Sequence, residues 1–261
     1  MKNYALVTGA SKGIGCEIAL QLAKLGYSLL LVARNNDELS TLAAAIEKDY
    51  KVKALWLAMD LSTAGGPQQV ADWCRKKSVK IEILVNNAGY GLWGDFDTLD
   101  LEAQLNMINL NIKAHVALTS LLLPILKQGQ QAYILNVAST AAYQAIPTLA
   151  VYAATKSFVL SFSRALRYEL KDGPVSVSCL SPGPTDTAFA QRAGLDALKE
   201  LADKFNMSPA VVAKIAIKGM FNRKAEIVPG FLNNAGAKLV SFVPKGFIEK
   251  MISKLYKVPG K

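Results

Sequence analysis

Tyr152 and Lys156 are four residues apart in a helical segment, so their side chains stack on one helix face. A free tyrosine titrates near pH 10 or so, a poor match for proton transfer around neutrality. A neighbouring ammonium favours the phenolate and is expected to lower that value. Ser139 falls at the end of the preceding strand, where its hydroxyl can donate a hydrogen bond to an oxygen. The three together could hold a carbonyl oxygen while a hydride reaches its carbon, and then supply the proton. A Tyr-x-x-x-Lys pair alone carries little weight, because such pairs are frequent on exposed helices. What lends it weight is Ser139 beside it and a glycine-rich turn near the start of the chain.

The elements that must position these residues can be read from hydrophobic periodicity. Apolar β-type runs occur at residues 4–8, 28–33, 52–58, 82–86, 132–138 and 175–180, with a last short one at 225–228. Helical patterns alternate with them at 13–25, 36–49, 67–77, 101–127 and 151–170. Near-continuous apolar strands separated by helices predict a three-layer, doubly wound α/β fold around a parallel sheet. Pro182-Gly183-Pro184 breaks the alternation, and two helices are expected within 186–221. With no linker, repeat or low-complexity stretch, residues 1–261 read as one domain. Residues 186–224 are expected to form a helical insert over the substrate, and 244–261 a basic amphipathic helix.

The first strand leads directly into Gly9-Ala10-Ser11-Lys12-Gly13-Ile14-Gly15, where a helix opens. Glycines there allow a tight turn and close backbone approach, and the free amides at the helix start favour a pyrophosphate. The second strand ends Val32-Ala33-Arg34: Ala33 stands where an acid would bind a ribose 2′-hydroxyl, and Arg34 follows it. A guanidinium fork, with Lys12 as a second cation, suits a 2′-phosphate, so NADP(H) is expected ahead of NAD(H). Asp60, just after the third strand, is placed to meet the adenine edge. Asn86-Asn87-Ala88-Gly89 follows the fourth strand, with amides that can brace neighbouring strand ends.

Taken in order, the glycine turn, Asn86-Asn87-Ala88-Gly89, Ser139, Tyr152-x-x-x-Lys156 and Pro182-Gly183 resemble the short-chain dehydrogenase/reductase family over residues 4 to 190 or so. The resemblance implies a Rossmann fold with a sheet of about seven strands and an oxidoreductase acting on a carbonyl or secondary alcohol. It implies Tyr152 as general acid/base, Ser139 as the group that fixes the substrate oxygen, and Lys156 bound to the nicotinamide ribose. A fourth residue, an Asn that orders a water in the proton relay, is Asn109 or Asn111, with Asn111 favoured by its distance to Leu123-Pro124. Cofactor contacts carried over are Gly9, Ser11, Lys12, Gly13, Ile14, Gly15, Arg34, Asp60, Leu61, Asn87, Ala88, Gly89, Pro182, Gly183, Thr185 and Thr187, beside Tyr152 and Lys156. A homodimer or homotetramer joined through helices 101–127 and 151–170 is likewise a family expectation. Walls for an apolar or amphipathic substrate are sought in 90–96, 141–147 and 188–205, with Leu92, Trp93, Phe96, Tyr143, Ile146 and Phe189 available.

Other readings fare worse. The chain has one histidine, His115, and no Gly-x-Ser-x-Gly elbow, so a Ser-His-Asp hydrolase is not expected. One His and three scattered Cys make no metal site. The same three cysteines read as reduced thiols in the cytoplasm, and no signal peptide is expected. A non-catalytic nucleotide-binding protein remains the alternative, although it needs no intact Ser139, Tyr152 and Lys156. The net charge of +10 is dispersed and reads as solvated surface with anion steering rather than nucleic-acid binding. Near the C-terminus Phe247, Ile248, Met251, Ile252 and Leu255 form an apolar stripe among lysines. Packing against its own protein or a partner subunit is the expected use, ahead of contact with an anionic membrane.

Overall fold

The computed structural model describes residues 3–185, 206–240 and 243–256. Seven strands form one sheet: β1 (Tyr4–Thr8), β2 (Ser28–Ala33), β3 (Ala54–Ala58), β4 (Ile81–Asn86), β5 (Ala132–Val137), β6 (Val175–Leu180) and β7 (Glu226–Ile227). Their order is β3-β2-β1-β4-β5-β6-β7 and every pairing is parallel. The expected three-layer doubly wound architecture is what the chain adopts.

Strand periodicity explains why both faces are covered. In β1, Ala5 and Val7 enter one core cluster while Tyr4 and Leu6 enter the other; in β2, Leu29 and Leu31 divide from Leu30 and Val32 in the same way. The first face is roofed by α1 (Gly13–Lys24), α2 (Asn36–Tyr50) and α7 (Pro209–Phe221), through Ile18, Leu22, Leu39, Ile46, Val212 and Met220. The second is roofed by α3 (Gly66–Lys77), α5 (Ala114–Leu126) and α6 (Ala150–Glu169), through Val70, Leu118, Leu122 and Leu166.

Two expectations are corrected here. The helix expected over 101–127 is α4 (Leu101–Ile108), a wider π-helical turn (Asn109–Lys113) and then α5. This run is long and apolar enough, by length and composition, to cross a membrane, yet Leu118, Leu122 and Leu126 are spent against the sheet. The insert expected over 186–224 is not one unit: α7 is a layer helix whose Val212, Ala213, Ala216 and Met220 are fully buried, while 186–205 lie outside the described residues. The chain then continues through α8 (Phe231–Leu239) to α9 (Lys245–Leu255), both set at the carboxyl edge of the sheet near the 3₁₀ turn Thr140–Tyr143.

Candidate active site

The strand order reverses between β1 and β4, and such a switch point opens a crevice at the carboxyl ends of the strands. One threonine and one asparagine tie its two rims together. Thr8 Oγ1 donates to the Val85 carbonyl (3.1 Å) and accepts the amides of Asn87 (3.0 Å) and Ala88 (3.1 Å). Asn87 Nδ2 donates to the carbonyls of Thr8 (2.9 Å) and Gly9 (3.2 Å). The glycine turn is thereby pressed against the Asn87-Ala88-Gly89 turn. Gly9 and Gly13 sit at φ +63° and +58°, and a Cβ on Gly15 would lie 2.3 Å from the Gly9 carbonyl oxygen. Only glycine satisfies both demands.

Lys12 occupies the N-cap of α1 without a side-chain cap bond, so the first-turn amides are left for an anion. That cradle, with Ser11 and Ile14 on its rim, fits a pyrophosphate. Arg34 is exposed at the end of β2, and Asn35 caps α2 by accepting the amides of Asp37 and Glu38. Lys12 Nζ meets Glu38 Oε1 at 2.7 Å, and Ser11 also bonds that carboxylate. Lys12 accordingly holds the Glu38 carboxyl below the usual carboxylate range. Glu38 is a residue sequence reasoning missed, although an acid in the first turn of α2 was visible.

Further round the crevice, Asp60 Oδ1 accepts from the amide (2.9 Å) and hydroxyl (2.7 Å) of Ser62, an Asx turn that holds the loop after β3. Leu61 is buried in the second core cluster. Pro182 accepts the Thr140 amide at 2.9 Å, and Thr185 Oγ1 donates to the Gly183 carbonyl at 3.0 Å. A Cβ at Gly183 would meet Asn233 Nδ2 at 2.4 Å, so α8 packs directly on this turn. Thr187 lies outside the described residues.

Ser139, Tyr152, Lys156 and Asn111 converge beside Gly89. Ser139 caps the 3₁₀ turn, accepting the Ala141 amide at 3.1 Å, and its hydroxyl is hydrogen-bonded with that of Tyr152. Lys156 Nζ donates to the Val137 carbonyl at 2.9 Å and lies 5.8 Å from the Tyr152 ring centroid. Around the Cβ position of Gly89, Asn111 Oδ1 stands at 2.9 Å and Lys156 Nζ at 3.4 Å. Only glycine leaves that space open.

The π-helical turn spans both candidate asparagines, Asn109 and Asn111. It turns Asn111 inward, where the side chain is fully buried. There Asn111 Oδ1 accepts the Tyr90 amide (3.1 Å), and Nδ2 donates to the Tyr90 carbonyl (2.9 Å) and to Thr155 Oγ1 (3.0 Å). One amide thus joins the loop after β4, the long helix and α6. His115 is buried, bonded both to the nearby Leu110 backbone and across elements, with Nε2 at 3.0 Å from the Asn86 carbonyl. Burial first, then the Lys156 charge, lowers it to about 3, so the ring is neutral. Below it a buried polar chain runs from Asn86 to Asn136 (2.9 Å) to Ser163 (2.9 Å), which periodicity could not reveal.

The expected acidification of the tyrosine is not what this geometry produces. Burial pushes Tyr152 up to about 12, with the Ser139 bond acting against it and Tyr256 adding to it. Burial likewise lowers Lys156 to about 8. The ammonium is drawn to the Val137 carbonyl, and desolvation of the phenol outweighs the Ser139 hydrogen bond that opposes it.

The sequence over residues 3–198 matches the family model for short chain dehydrogenases. The chain belongs to that family. It is 34% identical over 187 residues to an NADP-dependent 3-hydroxy acid dehydrogenase of Schizosaccharomyces pombe, covering 71% of this chain and 72% of that protein. It is 36% identical over 180 residues to a very-long-chain 3-oxoacyl-CoA reductase of Laccaria bicolor, covering 68% of this chain but little more than half, 53%, of that longer protein. A solved short-chain dehydrogenase from Sphingobium yanoikuyae in complex with NADPH superimposes with a TM-score of 0.81 at 29% identity, covering 94% of this chain and 96% of that one.

The wall above Tyr152 in this short-chain dehydrogenase differs from expectation. Tyr152 lies in an apolar cluster with Tyr90, Ala141, Ile146 and Leu149, against which Leu92 and Trp93 pack. Phe96 is exposed, and Tyr143 turns away to donate to Glu226 Oε1 at 3.2 Å. Phe189 and the rest of 188–205 lie outside the described residues. In their place α9 supplies Ile248 and Ile252, both buried in the same cluster. Its end is held by the Tyr256 carbonyl, which accepts from Trp93 Nε1 (3.2 Å) and Thr148 Oγ1 (3.0 Å). Thr148 has φ +67°, a left-handed conformation that a β-branched residue rarely takes. Its own carbonyl accepts the Gly94 amide at 2.9 Å, so this strained residue joins both loops to the C-terminal helix.

Proposed function

We propose that this protein is an NADP-dependent oxidoreductase that reduces an apolar or amphipathic ketone, aldehyde or ketoacyl compound to the alcohol. The observation that carries the reading is the hydrogen-bonded pair of Ser139 and Tyr152 hydroxyls, set beside Lys156 and Gly89 under an apolar roof. The names of the Schizosaccharomyces, Laccaria and Sphingobium relatives support both the cofactor and the reaction class. Gly9 to Gly15, Asn87, Ala88 and Gly89 would hold the pyrophosphate and its neighbouring ribose; Arg34 and Lys12 would take the 2′-phosphate. A bound nicotinamide supplies the hydride. Ser139 Oγ holds the substrate oxygen, and Tyr152 Oη, protonated at neutral pH, delivers a proton to it. Lys156 Nζ lends positive charge as that oxygen becomes electron-rich. Asn111 holds the Tyr90 backbone and α6 in register. The test is NADPH oxidation across ketones, aldehydes, ketoacyl thioesters and quinones. Turnover of apolar ketones or ketoacyl thioesters is expected, and inertness toward the whole panel would overturn the reading.

The lysine gives the reduction a pH signature. Its folded value is depressed to about 8, so the ammonium is present below that pH and lost above it. Tyr152 keeps its proton up to about 12. The kcat/KM for reduction is therefore expected to be level at neutral pH and to decline with a midpoint near 8. A profile flat to the tyrosine's range would remove Lys156 from the reaction.

Glu38 is expected to temper the cofactor. Its carboxylate occupies Lys12 and Ser11, two groups assigned to the phosphate end of NADP. The ion pair is half exposed, so its loss should act modestly. Glu38→Gln should lower the KM for NADPH by about fivefold or less, the scale of an exposed ion pair, and leave that for NADH alone. Equal changes for both cofactors would count against this role.

The reading extends to assembly and location. Leu101, Leu105 and Phe158 are exposed, and Ile108, Ile112, Val151 and Ala154 line an open apolar groove between α4 and α6. These support a homodimer or homotetramer packed through those helices. Cys16, Cys74 and Cys179 are all free thiols, in keeping with a reducing cytoplasm.

A further inference from the structure

The C-terminal helix α9 has two apolar faces with different fates. Ile248 and Ile252 point inward to the cluster around Tyr152. Phe247 and Met251, one turn apart, point outward and are 65% and 58% exposed. Lys250, also exposed, shares that outer stripe three residues after Phe247. The preceding helix α8 adds Phe231, 86% exposed, with Leu232 and Leu239 also exposed.

Charge decides what such a surface fits. Residues 231–261 hold six lysines (238, 245, 250, 254, 257 and 261) against one acid, Glu249, a balance of +5. That is half of the chain's +10 in a short terminal stretch. A second copy docked face to face by two-fold symmetry would oppose like charges. A neutral apolar partner would leave the lysines without counter-charge. An anionic lipid surface satisfies both features: aromatic and thioether side chains enter the acyl boundary while lysines stay among the headgroups.

We propose that the outer face of α9, with α8 beside it, docks this protein on an anionic lipid surface. The inner face of the same helix roofs the catalytic pocket, so docking brings that roof to the bilayer, where an apolar carbonyl compound is dissolved. This consequence for substrate supply rests on the function proposed above; the docking itself does not.

The full chain should be sedimented with vesicles of phosphatidylcholine alone and with vesicles that also contain phosphatidylglycerol. Co-sedimentation with the anionic vesicles, weakened by salt, is expected, with little on the neutral ones. The double variant Phe247→Ser/Met251→Ser should lose at least about a hundredfold in partitioning, the scale of removing two buried apolar side chains. NADPH binding and turnover of a small water-soluble ketone should be retained, which shows that the variant is folded. No sedimentation of the native chain would overturn docking, as would binding that the double variant leaves unchanged. A double variant that instead falls from oligomer to monomer would assign the face to a copy of the chain and overturn the lipid reading. Because sedimentation is read without turnover, failure of the enzymatic reading would leave this result standing.

Discussion

Tyr152→Phe is expected to lower kcat for carbonyl reduction by about 10²–10⁴-fold, the range for loss of a positioned acid, with NADPH affinity unchanged. The ring stays in its cluster with Tyr90, Ile146, Leu149 and Ile248, so apolar packing survives. What disappears is the α6 hydroxyl bonded to Ser139, and with it the proton for the substrate oxygen. Stability should shift by no more than about 1 kcal/mol, the net worth of one buried hydrogen bond. Stopped-flow single turnover separates chemistry from product release, and fluorescence titration of NADPH reports binding. An unimpaired single-turnover rate would remove Tyr152 from its role. Weakened NADPH binding alongside slow chemistry would show that the phenol holds cofactor rather than substrate.

The second large effect is on cofactor choice. Arg34→Ala is expected to weaken NADPH about 10–100-fold while NADH is barely affected, because a hydrogen bond to a charged group contributes roughly 1.5–3 kcal/mol. The NADH molecule lacks the 2′-phosphate, so the guanidinium has nothing to hold there. Arg34 is exposed at the end of β2, and Asn35 rather than Arg34 caps α2, so its removal should leave the helix intact. The native preference should also fade as salt rises, since the contact is screened. Parallel KM series for both cofactors check this; equal losses for NADPH and NADH would contradict a phosphate contact. The opposite sign expected for Glu38→Gln, an acid bonded to Lys12, gives an internal control at the same end of the crevice.

Much of this was open to reading from the chain. Alternating apolar runs divide β1 and β2 between two cores, which is why a parallel sheet with two helical layers was legible. The glycine turn was legible because glycine is required where backbone meets backbone, as at Gly15 and the Gly9 carbonyl. Boundaries were less so: β3 begins at Ala54 rather than 52, and the long helix contains a π turn. A single extra residue per turn leaves hydrophobic spacing almost unchanged, so periodicity does not report it.

Residue types and their order, then, determined the fold class, and put Ser139 at a strand end and Tyr152 and Lys156 on one helix face. The tertiary structure alone decided their environments. It buried Tyr152 until desolvation outweighed the Ser139 hydrogen bond, and directed Lys156 to the Val137 carbonyl. It turned Asn111 onto Tyr90 and Thr155, and divided one terminal stripe between the pocket and solvent. Dielectric and packing depend on atoms brought from distant parts of the chain, and no local pattern carries that information.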